Sequence, residues 1–181
     1  RISIYLYNYQ WIDVMIGDKL FTSFIWPENV YKPVLFPVYT SAGTVITRGF
    51  PLSPREGEST DHAHHVGIWF NYGDVNGVDF WGNGSTGSLS PRGGVIRHLN
   101  IEKMTDGAGE AVIISNESWV DSTGKEMLAE KSEYHFSGNG SARIVDRITT
   151  LTATGDTMKF KDTKEGMFGI RVARQLQLPA K

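Results

Sequence analysis

The sequence predicts an all-β protein, a two-sheet antiparallel β-sandwich. Three observations carry that reading. Apolar residues recur at every second position over much of the chain, the period of a half-buried strand. Twenty glycines accompany five Trp, seven Tyr and nine Phe, a composition that suits strands joined by tight turns. No window of about 11 residues carries a 3.6-residue apolar repeat, so helices should be few and short.

The elements follow in order. Ile2, Ile4 and Leu6 share one face of a first strand, and Ile12, Val14 and Ile16 share one face of a second, which ends at the turn Gly17-Asp18-Lys19. Residues 20–26 return as its hairpin partner. Residues 34–40 and 44–50 flank Ser41-Ala42-Gly43, whose glycine suits a short hairpin loop. Further strands are expected at 64–72, 78–81, 94–104, 111–120, 127–136 and 142–152, and Ser137-Gly138-Asn139-Gly140 is the clearest turn between them. Residues 50–60, with Pro51, Pro54 and Gly57 among polar neighbours, form the longest irregular segment and read as a functional loop or lid.

A chain of 181 residues matches one domain of about 100–200 residues, and no repeat or linker divides residues 1–181. A net charge of -2 leaves no surplus cations to displace counterions from a phosphate backbone, which argues against a nucleic-acid partner. No run reaches the roughly 18 to 20 apolar residues of a membrane-spanning helix. The lack of cysteine excludes disulfides, thiolate metal sites and Cys nucleophiles. Location reads as periplasmic or secreted if an N-terminal signal was removed and cytoplasmic otherwise; oligomeric state stays open.

The densest polar constellation is Asp61-His62-Ala63-His64-His65. On a strand, His62 and His64 would face one way and Asp61 and His65 the other. Two imidazoles at i and i+2 can converge on one divalent transition metal, with a third ligand from elsewhere; His98, His135, Asp79 and Glu165 are the candidates. The same residues can instead serve as acid, base or ligand without a metal, or form a structural network.

Directly downstream, residues 67–82 hold Trp69, Phe70, Tyr72, Asp74, Asn76, Asp79, Phe80 and Trp81, punctuated by glycines. Aromatic faces beside carboxylates and amides can pack on the C–H face of a sugar while the polar groups meet its hydroxyls. Phe70 and Phe80 read as core; Trp81, framed by Phe80 and Gly82, is the better stacking platform, with Trp69, Asp74 and Asn76 as further contacts. Arg48, where an apolar strand enters the long loop, can hold an anionic or ketonic oxygen through two parallel bonds, or form a surface ion pair. Later, Asp162, Lys164, Glu165 and Arg171 cluster near two glycines, and a partly buried carboxylate among them can act as an acid or base. No phosphate-cradling glycine loop and no Gly-x-Ser-x-Gly elbow occurs.

Five blocks carry a resemblance: Lys32-Pro33-Val34-Leu35-Phe36-Pro37, Thr47-Arg48-Gly49-Phe50-Pro51, the run from Asp61 to Phe70, the run from Gly73 to Trp81, and Asp162-Thr163-Lys164-Glu165-Gly166 on to Arg171. Together they resemble the PmoA-like family of bacterial proteins, over most of the chain. The family's name points to methane oxygenase, whose particulate subunits are integral membrane proteins, unlike this chain. Its members occur in bacteria that degrade complex carbohydrate. The resemblance implies a sandwich similar to the galactose-mutarotase fold, which handles sugars with His and a carboxylate on a concave sheet and an Arg near the ring oxygens. It also implies a further segment beyond residue 181, so the chain is expected to be truncated at its C-terminus.

The sequence therefore favours a carbohydrate-active or carbohydrate-binding protein whose small-molecule partner is a sugar or oligosaccharide. His62, His64, His65, Arg48, Asp79 and Glu165 are the candidate catalytic residues for proton transfer, with epimerisation, elimination and hydrolysis all open and no cofactor required. Trp81, Trp69, Asp74, Asn76, Lys164 and Arg171 are the candidate substrate contacts. Two alternatives stand: a metal-dependent oxidase or oxygenase using His62 and His64, and a non-catalytic sugar-binding accessory domain.

Overall fold

The computed structural model describes residues 1–83 and 89–178. Its strands are β1 (Ile2–Tyr7), β2 (Trp11–Ile16), β3 (Lys19–Ile25), β4 (Val34–Val38), β5 (Ile68–Phe70), β6 (Val95–Thr105), β7 (Glu110–Val120), β8 (Glu126–Gly138), β9 (Arg143–Ala153) and β10 (Phe168–Ile170). Helical structure among the described residues is confined to two single 3-10 turns, Glu28–Val30 and Arg174–Leu176. The strands form a six-stranded sheet, β1-β2-β3-β4-β5-β10, and a four-stranded sheet, β6-β7-β8-β9. All paired strands are antiparallel. The fold is the two-sheet β-sandwich the sequence predicts, and no helix among the described residues is long and apolar enough to cross a membrane.

Period-2 alternation decides what each face does. Ile2 and Ile4 on β1, Ile12 and Val14 on β2, Phe24 on β3 and Leu35 on β4 point inward and pack against Ala111, Ile113, Tyr134 and Phe136 of the facing sheet. A second interior cluster joins Val75 and Phe80 to Ile96, Trp119 and Leu128. Between these clusters the four-stranded sheet turns a polar belt inward. Ser115, Glu117, Glu130 and Ser132 are all buried, Glu117 and Glu130 are directly opposite in register, and Arg147 of β9 pairs with Glu130. The Arg147 guanidinium lies 4.6 Å from the Phe70 ring and 5.0 Å from that of Tyr134. Buried charges persist only where paired and hydrogen-bonded, and Trp119 Nε1 donates to Glu130 at 2.5 Å.

The opposite face of the six-stranded sheet positions the site. Cross-strand pairing places Tyr7, Trp11, Ile25, Val34, Trp69 and Gly169 in a single row across all six strands. Toward the β4 and β5 end this face is covered by the segment between those strands, in a cluster of Val30, Val34, Phe36, Val66 and Trp69 with Ile25, Leu52 and Trp81. Gly169 closes the row because a Cβ there would lie 2.4 Å from Trp69 Cζ2.

Three expected strands differ. Residues 44–50 form only isolated bridges, Tyr39 with Val45 and Thr47 with Val172. Their backbone is divided between two partners, Ile46 N donating to Val38 O at 2.9 Å and Arg48 N to Arg171 O at 2.9 Å, so no continuous ladder forms. The strand expected at 64–72 is reduced to β5, because residues 59–65 are gathered into a turn around Arg48. Residues 78–81 make only the bridges of Val78 to Val75 and Asp79 to Gly93. The irregular stretch 50–60 carries neither strand nor helix.

Candidate functional site

Arg48 organises the site from below. Its side chain is fully buried, and its two terminal nitrogens are surrounded by oxygens of the segment 59–65. Nη1 donates to Asp61 O at 2.8 Å, Asp61 Oδ1 at 2.9 Å, and both Ser59 O and Ser59 Oγ at 3.2 Å. Nη2 donates to His62 O at 2.9 Å and His65 O at 3.3 Å. A planar fork with five N–H donors suits such a cradle, whereas an ammonium does not. Arg48 therefore positions the histidine turn and does not itself present a guanidinium to a ligand.

The turn it holds is tight. His62 adopts a left-handed φ of 45°, and His65 N donates to His62 O at 2.9 Å. Gly67, with φ +59°, ends it where a Cβ would meet Leu35 O at 2.1 Å, and β5 begins at the next residue. This removes the extended i, i+2 arrangement expected for His62 and His64, since the guanidinium gathers the intervening carbonyls into a curve. Their ring centroids are 5.7 Å apart and inclined by 54°. Among the described residues no group of three or more His, Asp or Glu is arranged to hold a metal ion. The proposed third ligands lie elsewhere: His98 on β6 contacts Ser115 Oγ at 3.0 Å, and His135 on β8 faces Glu110 at 3.2 Å.

The turn instead builds a ring stack. His65 lies parallel to His62 on one side, with centroids 4.9 Å apart, and to Trp69 on the other at 5.1 Å. His64 meets the His65 ring edge-on at 4.3 Å, and Trp81 does so at 5.6 Å. Trp69 is 3% exposed and serves as the wall under His65, while Trp81 retains partial exposure. His62, at the outer end of the stack, keeps 55% of its side chain exposed.

Electrostatics divides these groups. Asp61 Oδ2 lies 2.6 Å from His62 Nδ1, while Oδ1 accepts from Ser59 Oγ at 2.7 Å and from Arg171 Nη2 at 2.7 Å. The Ser59 hydrogen bond, with those of His62 and the charge of Arg171 beside it, holds the Asp61 carboxyl well below the usual carboxylate range. Burial, reinforced by cationic neighbours, pulls His64 down to about 3 and His65 down to about 4, so both are neutral near pH 7. His65 Nε2 is buried with no hydrogen-bond partner among the described residues.

Lys32 is the functional-site residue whose part the sequence did not disclose. It is 1% exposed, donates to His64 O at 2.8 Å and reaches Asn83 Oδ1 at 3.4 Å. Burial pulls its ammonium down to about 7. A lysine inside the apolar run Val30-Tyr31-Lys32-Pro33-Val34 was the available signal, since lysine is rarely buried without a partner. Ser59 and the carboxylate of Asp61 also belong to the site, the latter from the start of the histidine cluster.

The remaining predicted residues serve neighbouring turns. Asp79 Oδ1 accepts from Trp81 N at 2.8 Å and Gly82 N at 2.9 Å, so it aims Trp81. Asp74 Oδ1 caps Gly77 N at 2.8 Å. Asn76 clamps the segment 157–159, donating to Thr157 O at 3.1 Å and accepting from Lys159 N at 2.8 Å. Glu165 pairs with the exposed Lys164 at 3.4 Å, and its backbone carbonyl accepts from Thr163 Oγ1 at 3.0 Å. Of the later block, only Arg171 is bonded into the histidine turn.

Residues 11–180 match the model described as a family of unknown function, DUF6807. No curated protein and no solved structure matches the chain.

Proposed function

We propose, for a chain that belongs to the DUF6807 family, that it is a carbohydrate-active protein in which His62, oriented by Asp61, passes a proton to or from a sugar held beside Trp81. The observation that carries this reading is the 2.6 Å contact between Asp61 Oδ2 and His62 Nδ1, on an exposed imidazole at the mouth of an aromatic-walled turn. The resemblance of the same sequence blocks to PmoA-like proteins, whose all-β pattern is similar to the mutarotase sandwich, supports it.

The chemistry follows from the donor set. An ionised Asp61 favours the tautomer with the proton on Nδ1, which leaves the Nε2 lone pair of His62 as a general base and, once protonated, as a general acid. Ser59 and Arg171 keep Asp61 ionised and oriented. Neutral His65, its Nε2 buried, lies between His62 and Trp69 and sets the position of the outer imidazole. Trp81 supplies an apolar face for the C–H side of the ring. Arg48 and Lys32 act beneath these groups by holding the turn's carbonyls.

A panel of neutral and acidic mono- and oligosaccharides, followed by tryptophan fluorescence and by product analysis, tests the proposal. The expected result is binding that perturbs tryptophan emission, with conversion that is lost in His62→Ala. Binding without conversion would replace catalysis by an accessory role, and absence of binding across the panel would overturn the sugar reading altogether.

A further inference from the structure

The outward face of the six-stranded sheet carries exposed aromatics among its polar residues, where the solvated face of an antiparallel sheet is ordinarily polar throughout. Beyond the covered β4 and β5 end it presents Tyr5 and Tyr7 from β1, Trp11 from β2 and Ile25 from β3, with Tyr5 51% and Tyr7 42% exposed. Tyr7 and Trp11 stack with centroids 5.4 Å apart and planes within 18°. Beside them opens a groove of about 680 Å³, lined by Trp11, Ile25, Trp26, Phe36 and Leu52, with Gln10, Ser23 and Glu28 as its polar groups. Ile25, Phe36 and Leu52 also belong to the cluster that seats Trp69 and Trp81, so the groove and the histidine turn share a wall. Trp11 and Trp69 stand in the same cross-strand row three strands apart, about 14 Å at the usual strand spacing.

We infer that this groove is an extended binding site for a neutral oligosaccharide, whose distal units lie on Trp11 and Trp26 while a terminal unit reaches the histidine turn; the inference rests on the sugar reading above. Three features select this occupant. Flat indole faces suit the C–H faces of sugar rings. Amide, hydroxyl and carboxylate groups at the rim can meet hydroxyls along a chain. The charged groups at the groove are acidic, Glu28 lining it and Asp13 beside it, which accepts from Ser23 Oγ at 2.5 Å. The cations Lys32, Arg48 and Arg171 stand instead at the histidine turn, so the distal units of a uronate or sulfated chain would be repelled.

The test is a ladder of neutral gluco-, xylo- and galacto-oligosaccharides from one to six units, with oligogalacturonides as the charged control, titrated against the wild type, Trp11→Ala and Trp11→Phe. Affinity should rise about tenfold between the monosaccharide and chains of four or more units, the gain expected of one added stacking platform. Trp11→Ala should lose that gain, Trp11→Phe should retain most of it, and oligogalacturonides should show none. Equal affinity along every neutral ladder, with binding intact, would overturn the groove assignment alone. Failure of every sugar to bind would remove the underlying sugar reading. A dimer in sedimentation that dissociates in Trp11→Ala would identify a second copy of the chain as the occupant instead.

Discussion

Asp61 Oδ2 and His62 Nδ1 lie 2.6 Å apart, a contact between sequence neighbours made where the backbone enters the left-handed region at His62. The carboxylate is shared: its other oxygen is held by Arg48 at 2.9 Å and Arg171 at 2.7 Å. Orientation of the imidazole is thereby tied to two arginines distant in sequence. If His62 is the proton-transfer group, Asp61→Asn, which retains size but not charge, should lower turnover of a sugar by about 100-fold or more. Steady-state kinetics on any converted sugar checks this, and full activity in Asp61→Asn would remove Asp61 from the mechanism.

Arg48 should be a stability residue. Removing it as Arg48→Met leaves the oxygens of 59–65 without their donor in a buried setting, and the expected loss is about 3–5 kcal/mol. Arg48→Lys should recover little of it, since an ammonium cannot reproduce the fork. Urea denaturation of both variants gives the comparison.

Acid should weaken the fold in a defined window. His64 and His65 have folded-state values of about 3 and about 4, below the ordinary histidine value. The unfolded chain therefore binds more protons as pH falls. Their contribution is intact above about pH 6.5 and lost progressively toward pH 4 and 3, with a slope of up to about 1.4 kcal/mol per pH unit for each group. Asp61, also depressed, acts in the same direction at the acidic end. Lys32, pulled down to about 7, acts at the other: stability should rise from pH 7 toward 10.5, and Lys32→Met should flatten that rise. Urea midpoints measured across pH for the wild type and for His64→Gln, His65→Gln and Lys32→Met test each sign.

The interior belt makes an asymmetric prediction. Burial pushes the Glu117 carboxyl up, toward its neutral form, so Glu117→Gln should change stability by less than about 1 kcal/mol. Glu130 is paired with Arg147 and accepts from Trp119. Glu130→Ala leaves the largely buried Arg147 cation without its carboxylate and should cost about 3 kcal/mol. Thermal denaturation of the two variants distinguishes them.

The legible part of the molecule is the part with period 2. Ile12 and Val14, or Ala111 and Ile113, alternate against polar neighbours, and the strands they predict form. What alternation could not convey is where a strand's partner is absent or divided. Residues 44–50 alternate well enough, yet two different segments compete for their backbone. The histidine cluster was visible as a cluster, but its geometry depends on Arg48, a residue 13 positions before Asp61, whose reach across the loop no local pattern records. Likewise Asp79 reads as a catalytic carboxylate and Asn76 as a sugar contact by type, and in the fold they cap and clamp turns beside Trp81. Lys32 stands in an apolar run, and burial of its amine is a tertiary fact that no local pattern conveys.

The most direct test of the central claim is transfer of solvent deuterium into a bound sugar, read by proton NMR in D2O for the wild type and His62→Ala. The predicted result is loss of a sugar C–H signal as deuterium replaces the proton, in the bound sugar or in its converted product, in the wild type and at least 100-fold more slowly in His62→Ala. Exchange at the same rate in both proteins would contradict the assignment of His62 as the group that moves the proton.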